Sequence, residues 1–403
     1  MKQKNILFLS YWSLREPLTA AAIFPYLRLL ADRDDIGRIL LVTMETTDRF
    51  LPEVDLDIPK VTHLPILPRF KWLYMLSKVD LYVRSVLRIA RSIRRHSIDL
   101  VFAKASLAGT IAHFVHVLTR VPYIVESFEP HSTYMLECGV WKRNGVRYAF
   151  ARYMERVQLR WARNIMTVTD NHRVDLLAEG YDPERIKMIP SITDLEMFSF
   201  RPHDRDRIRS LLSIPPGSSV GIYVGKFGGL YYDTEAYVIF ARAFHHFTDL
   251  HVVVLSPTDP EKIMAEAAQA GIPMARFHVL TAPHVEVPAY LSSADFAFST
   301  IKPSYIKRYQ CPIKNGEYWA NGLPILMTDG VADDHRLMRH GIGGSVYSPD
   351  MHDLDAALET IKRITERPDH RAEMVELAAR YKSVAIAKAV YDEILGRSPG
   401  PVN

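Results

Sequence analysis

Cys311 to Asp329 reads CPIKNGEYWANGLPILMTD. The spacing predicts a helix, a stop and a strand. Pro312 suits the first helical turn, where a missing N–H costs nothing. Asn321-Gly322 suits the helix end, and Pro324 prevents continuation. Ile325, Leu326 and Met327 then form a short buried strand. Lys314 is the odd residue, because a cation in the first turn sits at the positive end of the helix dipole. Glu317 stands one turn behind it.

The same alternation of helix and apolar run extends along the whole chain. Strand-like runs in the first half are 5–10, 38–43, 99–103, 122–127, 164–169 and 186–190. The second half repeats the rhythm at 219–225, 250–256, 276–281, 295–300 and 324–328. Helical patterns lie between them, for example Leu18 to Ala31 and Ser106 to Leu118. Such alternation means βαβ units and parallel sheets with helices on both faces. The rhythm breaks at FRPHDRDRIRSLLSIPPGSS, rich in charge, Pro, Gly and Ser. The expected organisation is an α/β chain of two doubly wound, Rossmann-like domains, 1–200 and 219–380, joined by a linker at 201–218. A C-terminal helix and tail, 381–403, follow, the helix able to pack back on the N-terminal domain. Ligands of open α/β sheets bind beyond the carboxyl ends of the strands, so a cleft between the domains is the expected site.

Composition narrows the class. The 403 residues are 48% hydrophobic and 24% charged, ordinary for a globular protein with two cores. Cys138 and Cys311 lie far apart and form no C-x-x-C, which argues against a disulfide framework or zinc site and fits a reducing cytosol. The N-terminal apolar run is too short for a signal peptide, and no segment approaches 18 consecutive apolar residues. Net charge is +4, with 28 Lys and Arg against 22 Asp and Glu in residues 1–200. That modest excess permits an anionic partner, and no nucleic-acid motif accompanies it.

Four stretches could carry chemistry. In YVGKFGG, Tyr223 to Gly229, a strand ends among Gly225, Gly228 and Gly229, and a helix begins near Asp233-Thr234. Glycines allow close backbone approach and a helix start offers free N–H groups, so Lys226 stands in a candidate phosphate site. An ordinary βα turn with a surface lysine fits equally well. Lys314 and Glu317 share a helix face. They are either a surface ion pair or an anion site with a carboxylate able to accept from a vicinal diol such as ribose. VESFEPHSTYM, 125–135, gathers Glu126, Glu129 and His131 at a strand's carboxyl end. They could position a hydroxyl nucleophile, or simply cap a turn. Residues 69–95 carry eight basic residues and one acid. Arg84, Arg88, Arg91 and Arg95 form one stripe, opposed to Val79, Val83, Val86, Ala90 and Ile93. This is a solvated face or a contact for an anionic membrane or lipid-linked acceptor. No H-E-x-x-H or other metal cluster is visible.

In this order the residues resemble the two-domain glycosyltransferases of the GT-B fold, most closely glycosyltransferase family 4. The resemblance rests on 168–198 with its IP…D…F pattern, on YVGKFGG, on AYLSSADFAFST (289–300) and on CPIKNGEYWANGLPIL. It implies that Lys226 binds the donor diphosphate, that Lys314 supports the same anion and that Glu317 holds the ribose. Thr281 and His284 would lie near the base, and His131 or Glu129 near the transferred sugar. There are departures. The position eight before Glu317, where the family often has an acid, is Tyr309. Leu230-Tyr231-Tyr232 stand where a second basic residue usually follows, so the resemblance leaves Lys307, Arg308 or Lys314 as the substitute. The first βα loop lacks the usual glycine pair, and Arg15 and Glu16 are expected there on the acceptor side.

The resemblance therefore implies a metal-independent, cofactor-free transferase that moves a sugar, with retention, from a nucleotide-diphosphate sugar to an acceptor hydroxyl. The acceptor would be a carbohydrate, glycolipid or lipid-linked molecule of envelope or extracellular polysaccharide synthesis. The enzyme would be cytoplasmic, at most peripheral to the inner membrane face. Alternatives are a nucleotide-sugar epimerase of the same architecture and a catalytically silent partner subunit.

Overall fold

The computed structural model of the chain describes residues 3–14, 17–45, 56–68, 74–229 and 231–396. It divides into two compact units, Met1–Ile189 with Ala387–Asn403, and Pro190–Ile386.

The first unit is built on seven strands: β1 (Lys4–Ser10), β2 (Ile36–Met44), β3 (Val61–Ile66), β4 (Leu100–Lys104), β5 (Tyr123–Ser127), β6 (Asn164–Thr167) and β7 (Ile186–Met188). All pair in parallel, in the order β3-β2-β1-β4-β5-β6-β7. Ile6 to Leu9 are fully buried, as a parallel strand covered on both faces requires. Phe8 pairs with Leu41 on one side and Phe102 on the other. The connecting helices are α1 (Pro17–Ala31), α2 (Tyr74–His96), α3 (Ala105–Thr119), α4 (His131–Glu137), α5 (Val146–Trp161) and α6 (Asp170–Ala178).

The second unit carries β8 (Val220–Val224), β9 (His251–Leu255), β10 (Phe277–Leu280), β11 (Phe296–Ser299), β12 (Ile325–Thr328) and β13 (Gly344–Tyr347). They are parallel in the order β10-β9-β8-β11-β12-β13. The order runs outward both ways from β8, so the loop after β8 lies at a topological switch point. Its helices are α7 (Pro202–Leu211), α8 (Thr234–His246), α9 (Pro260–Gln269), α10 (Val287–Ser293), α11 (Ile313–Ala320), α12 (Asp334–Arg339), α13 (Leu354–Thr365) and α14 (His370–Lys382). The last helix, α15 (Val384–Leu395), returns to the first unit. There Tyr391 meets Phe102 edge-on at 5.6 Å and Asp392 pairs with Arg33.

Three expectations need correction. The stretch 201–218 is not a linker, because most of it is α7, inside the second unit. Two of its arginines are fastened rather than solvated: Arg205 and Arg209 reach Asp295 at 2.7 and 2.8 Å, and Ile208 is buried. Two strands escaped the apolar-run reading. β3 is a half-exposed edge strand containing Pro65, and β13 is the short GSVY. Finally, α2 turns Leu81, Ser85, Ile89 and Ile93 inward and leaves Val79 and Val83 exposed.

Candidate functional site

At the carboxyl end of β8 the chain turns on Gly225, Gly228 and Gly229, with φ of +157°, +78° and +64°. Tyr223 fixes this turn by donating its hydroxyl to the Lys226 carbonyl at 2.5 Å. Gly225 suits its place because φ there is one that L side chains rarely adopt, and a Cβ would also press on the Lys314 ammonium. Lys226 itself is exposed.

Lys314 enters from the first turn of α11. Its Nζ lies 5.4 Å from the Tyr223 ring centre and 4.6 Å from that of Tyr231. Among the described residues it meets these π-faces and no hydrogen-bond acceptor. Loss of water lowers its pKa from 10.5 to about 8, against the upward pull of Glu317. Glu317 is buried one turn further on, and its Oε1 lies 3.3 Å from His284 Nε2. That hydrogen bond holds the half-exposed imidazole above its ordinary range, against burial. The His284 ring also packs edge-on against Phe198 at 5.6 Å. Thr281, on the same loop after β10, donates its hydroxyl to the Ser256 carbonyl at 3.0 Å.

The structure thus gathers Gly225, Lys314, Glu317 and His284. Lys307 and Arg308 are engaged elsewhere. Lys307 is buried with its Nζ on Gln310 Oε1 at 3.1 Å, and Arg308 lies over the rings of Tyr305 and Tyr309 at 5.4 and 5.2 Å. Tyr309 is buried, its hydroxyl donating to Tyr305 at 2.9 Å.

Sequence reading missed what holds α11 in place. Ser299 Oγ donates to Asn315 Oδ1 at 2.9 Å, and Asn315 Nδ2 donates to Asp334 Oδ2 at 3.0 Å. The buried Lys382 ammonium donates to Asp334 Oδ1 at 2.8 Å and to Cys311 Sγ at 3.2 Å. Burial opposes the Lys382 charge, but Asp334 and Cys311 outweigh it and push its pKa up. On the other faces, Tyr318 Oη accepts from the Val224 N–H at 3.0 Å and Trp319 Nε1 donates to the Gly343 carbonyl at 2.8 Å. No local motif announces this network, since Lys382 stands 68 residues beyond Lys314.

In the first unit, Glu126 is not placed to meet a substrate. It is buried in an ion pair with Lys104 at 2.5 Å, and the Lys104 ammonium lies over the rings of Tyr26 and Phe128 at 4.2 and 4.8 Å. A charge on either side chain requires the other at that depth. His131 opens α4, stacked on Tyr134 at 6.1 Å and edge-on to Trp141 at 5.5 Å, and burial lowers its pKa. Glu129 is half-buried two residues before it, its carbonyl accepting from Ser106 Oγ at 3.4 Å. Arg15 and Glu16 lie outside the described residues. Among the described residues no group of three or more His, Cys, Asp and Glu side chains is placed to hold a metal. No described helix is long and apolar enough to cross a membrane.

Two parallel, doubly wound units on one chain define the GT-B fold, and solved structures share it. The chain is similar to Anabaena HepE, solved in complex with UDP, at 15% identity and a TM-score of 0.70, over 98% of this chain and 100% of that one. It is similar to sucrose-phosphate synthase from Thermosynechococcus elongatus at 13% identity and a TM-score of 0.72, over 98% and 100%. A UDP-N-acetylglucosamine 2-epimerase shares the fold at 13% identity and a TM-score of 0.60, over 100% of each chain. Identities this low establish the fold alone. No curated protein matches the chain. Residues 27–191 match the glycosyl transferase 4-like domain, which spans most of the first unit. The first unit thus carries a glycosyl transferase 4-like domain, and the chain is a glycosyltransferase by class.

Proposed function

We propose that the protein transfers a sugar, with retention of configuration, from a nucleoside-diphosphate sugar to an acceptor hydroxyl. One observation carries the reading: the Lys314 ammonium is held between two tyrosine rings, above a glycine, at a helix start. An anion seated there meets the ammonium and the free N–H groups of α11 together. Lys314 then neutralises charge developing on the departing diphosphate, and exposed Lys226 adds a second cation from the β8 loop. Gly228 and Gly229 let that backbone approach the phosphates. Glu317 accepts from the ribose hydroxyls, with His284 fixing its carboxylate, and Thr281 and His284 border the base. His131 and Glu129 orient the sugar and acceptor, as do Arg15 and Glu16 in the same proposal. The departing diphosphate takes the acceptor's proton, so no metal or cofactor is invoked. The acceptor we favour is a glycolipid, lipid-linked or polysaccharide chain of the cell envelope, met from the cytoplasm, with the exposed Arg88, Arg91, Arg94 and Arg95 of the stretch 69–95 facing an anionic surface.

HepE, which shares this fold, is known in complex with UDP and with UDP-glucose, so UDP is the first nucleotide to test. UDP is expected to raise the melting temperature of the wild type and not that of Lys314→Ala. An unchanged UDP shift in Lys314→Ala would remove the diphosphate assignment. Tyr309, buried where the resembling family often has an acid, favours a second reading, a silent subunit that binds nucleotide without turnover. Incubation with UDP-sugars, with and without an acceptor panel, separates the three cases. Acceptor-dependent product supports transfer, conversion of donor alone supports an epimerase, and binding with neither supports the silent subunit.

A further inference from the structure

Helix α5 buries Met154, Gln158 and Leu159. Its opposite side is apolar too. Val146, Phe150, Tyr153 and Trp161 recur at helical spacing and are 85, 54, 64 and 62% exposed. A surface helix usually turns its one apolar stripe inward and presents polar residues outside. Arg147, Arg152, Arg156 and Arg160 flank the outer stripe. The single acid of α5, Glu155, turns away to the Ser132 N–H and hydroxyl at 2.7 and 2.6 Å.

The neighbouring helices repeat the pattern. α3 packs against both α2 and α5. It exposes Phe114, Val117 and Leu118, and it contains no Asp or Glu. Trp161 lies 6.5 Å from the His116 ring, joining the end of α5 to α3. α2 exposes Val79, Val83 and Leu87 beside Arg88, Arg91, Arg94 and Arg95. Its single acid, Asp80, is bridged by Arg84 at 2.7 Å.

Adjoining exposed apolar stripes on three helices mark an interaction surface rather than scattered surface residues. The charge on these helices is of one sign, since both acids are already engaged. The counterpart must therefore be anionic outside and apolar beneath. Aromatic side chains with polar tips, mixed with arginines, suit a bilayer interface, where rings enter the headgroup boundary and cations meet phosphates. Resting on the reading above that an anionic surface is met through α2, we propose that the outer faces of α2, α3 and α5 dock together on an anionic lipid bilayer, with Phe150, Tyr153 and Trp161 entering the headgroup layer. The surface belongs to the first unit and Lys314 and Glu317 to the second, so nucleotide binding and membrane docking are separately measurable.

The experiment is co-sedimentation of the full chain with vesicles of phosphatidylglycerol and phosphatidylcholine, against phosphatidylcholine alone. The wild type is expected to sediment with the anionic vesicles at low salt and to be released by high salt. Each basic residue near such a surface contributes roughly fivefold, so Arg156→Glu/Arg160→Glu should lower partitioning by at least about tenfold. Phe150→Ser/Tyr153→Ser should lower it by about tenfold and leave it poorly rescued by added anionic lipid. Melting temperature with and without UDP, for all variants, reports on folding and nucleotide binding. Equal sedimentation with both vesicle types, or unchanged sedimentation of both variants, would overturn the proposal. So would a concentration-dependent dimer that Phe150→Ser/Tyr153→Ser dissociates, because a second copy would then cover this face.

Discussion

Replacing Lys314 by methionine should make the ligand-free protein more stable and its nucleotide site useless. The side chain keeps its length and loses its charge. In the folded protein the ammonium pKa falls from 10.5 to about 8. At 1.36 kcal/mol per pH unit, that drop means the fold disfavours the charged form by roughly 3 kcal/mol at neutral pH. Methionine also forgoes the cation–π attraction to the two tyrosine rings, which offsets about 1 kcal/mol, so the expected gain is about 2 kcal/mol. The sign follows from linkage. The folded pKa lies below the unfolded one, so the cost is fully present below pH 8. It fades between pH 8 and 10.5, where the unfolded chain binds more protons. The second unit, Pro190–Ile386, is of the size at which 1 kcal/mol moves the melting temperature by about 2–4 °C. Lys314→Met should therefore melt roughly 4–8 °C higher than the wild type at pH 7 without ligand. The difference should shrink toward pH 10. In the same instrument, UDP should stabilise the wild type and leave Lys314→Met where it was. A variant that melts at or below the wild-type temperature at pH 7, or a difference that does not change with pH, would refute the reasoning that the ammonium is held at a cost.

Three further outcomes follow from the same contacts. UDP affinity should fall as pH rises through about 8, because the diphosphate selects the protonated Lys314 and its binding takes up a proton; calorimetry in buffers of different ionisation enthalpy reads that uptake, and Lys314→Arg should flatten the profile. Asp334→Asn leaves the buried Lys382 ammonium without its carboxylate and should destabilise the second unit by about 3–5 kcal/mol, whereas Asp334→Asn/Lys382→Met should recover most of that in chemical denaturation. Glu126→Gln strands Lys104 in the same way and should lower the stability of the first unit by about 3–5 kcal/mol while leaving the UDP-induced shift unchanged; a loss of acceptor affinity without loss of stability would restore Glu126 to the acceptor side.

What the sequence made legible follows the reach of each signal. Strands buried on both faces announce themselves as apolar runs, and β1, β2, β8, β9 and β12 were all readable that way. β3 was not, because an edge strand is half polar and tolerates Pro65 in its ladder. The misread linker shows the same limit in reverse: Arg205 and Arg209 look solvated until Asp295, about 90 residues on, comes beside them. At the candidate site, Lys314 and Glu317 were visible because helical spacing puts them on one face. Tyr231 beside Lys314 and His284 on Glu317 were not readable as contacts, since loops bring them there. Glu126 looked like an active-site carboxylate because it stands at a strand's end, but its register partner across the ladder is Lys104, and the two neutralise each other. α2 looked amphipathic in the ordinary sense. A wheel cannot tell which of two apolar stripes faces the sheet.

The rigidity of α11 explains why so unfavourable a lysine can persist. A flexible helix start would let Lys314 swing its ammonium into water and escape the desolvation. Here the next residue, Asn315, is fixed to Ser299 and Asp334. Asp334 is fixed to Lys382, and Tyr318 and Trp319 are tied to Val224 and Gly343. Gly316 adds to the constraint, since a Cβ there would strike Thr193. The helix can neither rotate nor lift without breaking buried hydrogen bonds, each costing on the order of 1–3 kcal/mol when left unmade. With the backbone of α11 fixed and Nζ over the rings of Tyr223 and Tyr231, the ammonium stands where an anion would need it before the anion arrives. Binding then avoids the cost of ordering a long side chain. A cation that has lost part of its water also interacts more strongly with charge that develops on a leaving group than a fully hydrated one could. On this reasoning the buried network around Asp334 and the half-buried ammonium of Lys314 are one device. Loosening the network by Asp334→Asn/Lys382→Met, in a protein that still folds, should raise the pKa of Lys314 toward that of a surface lysine and weaken UDP binding together.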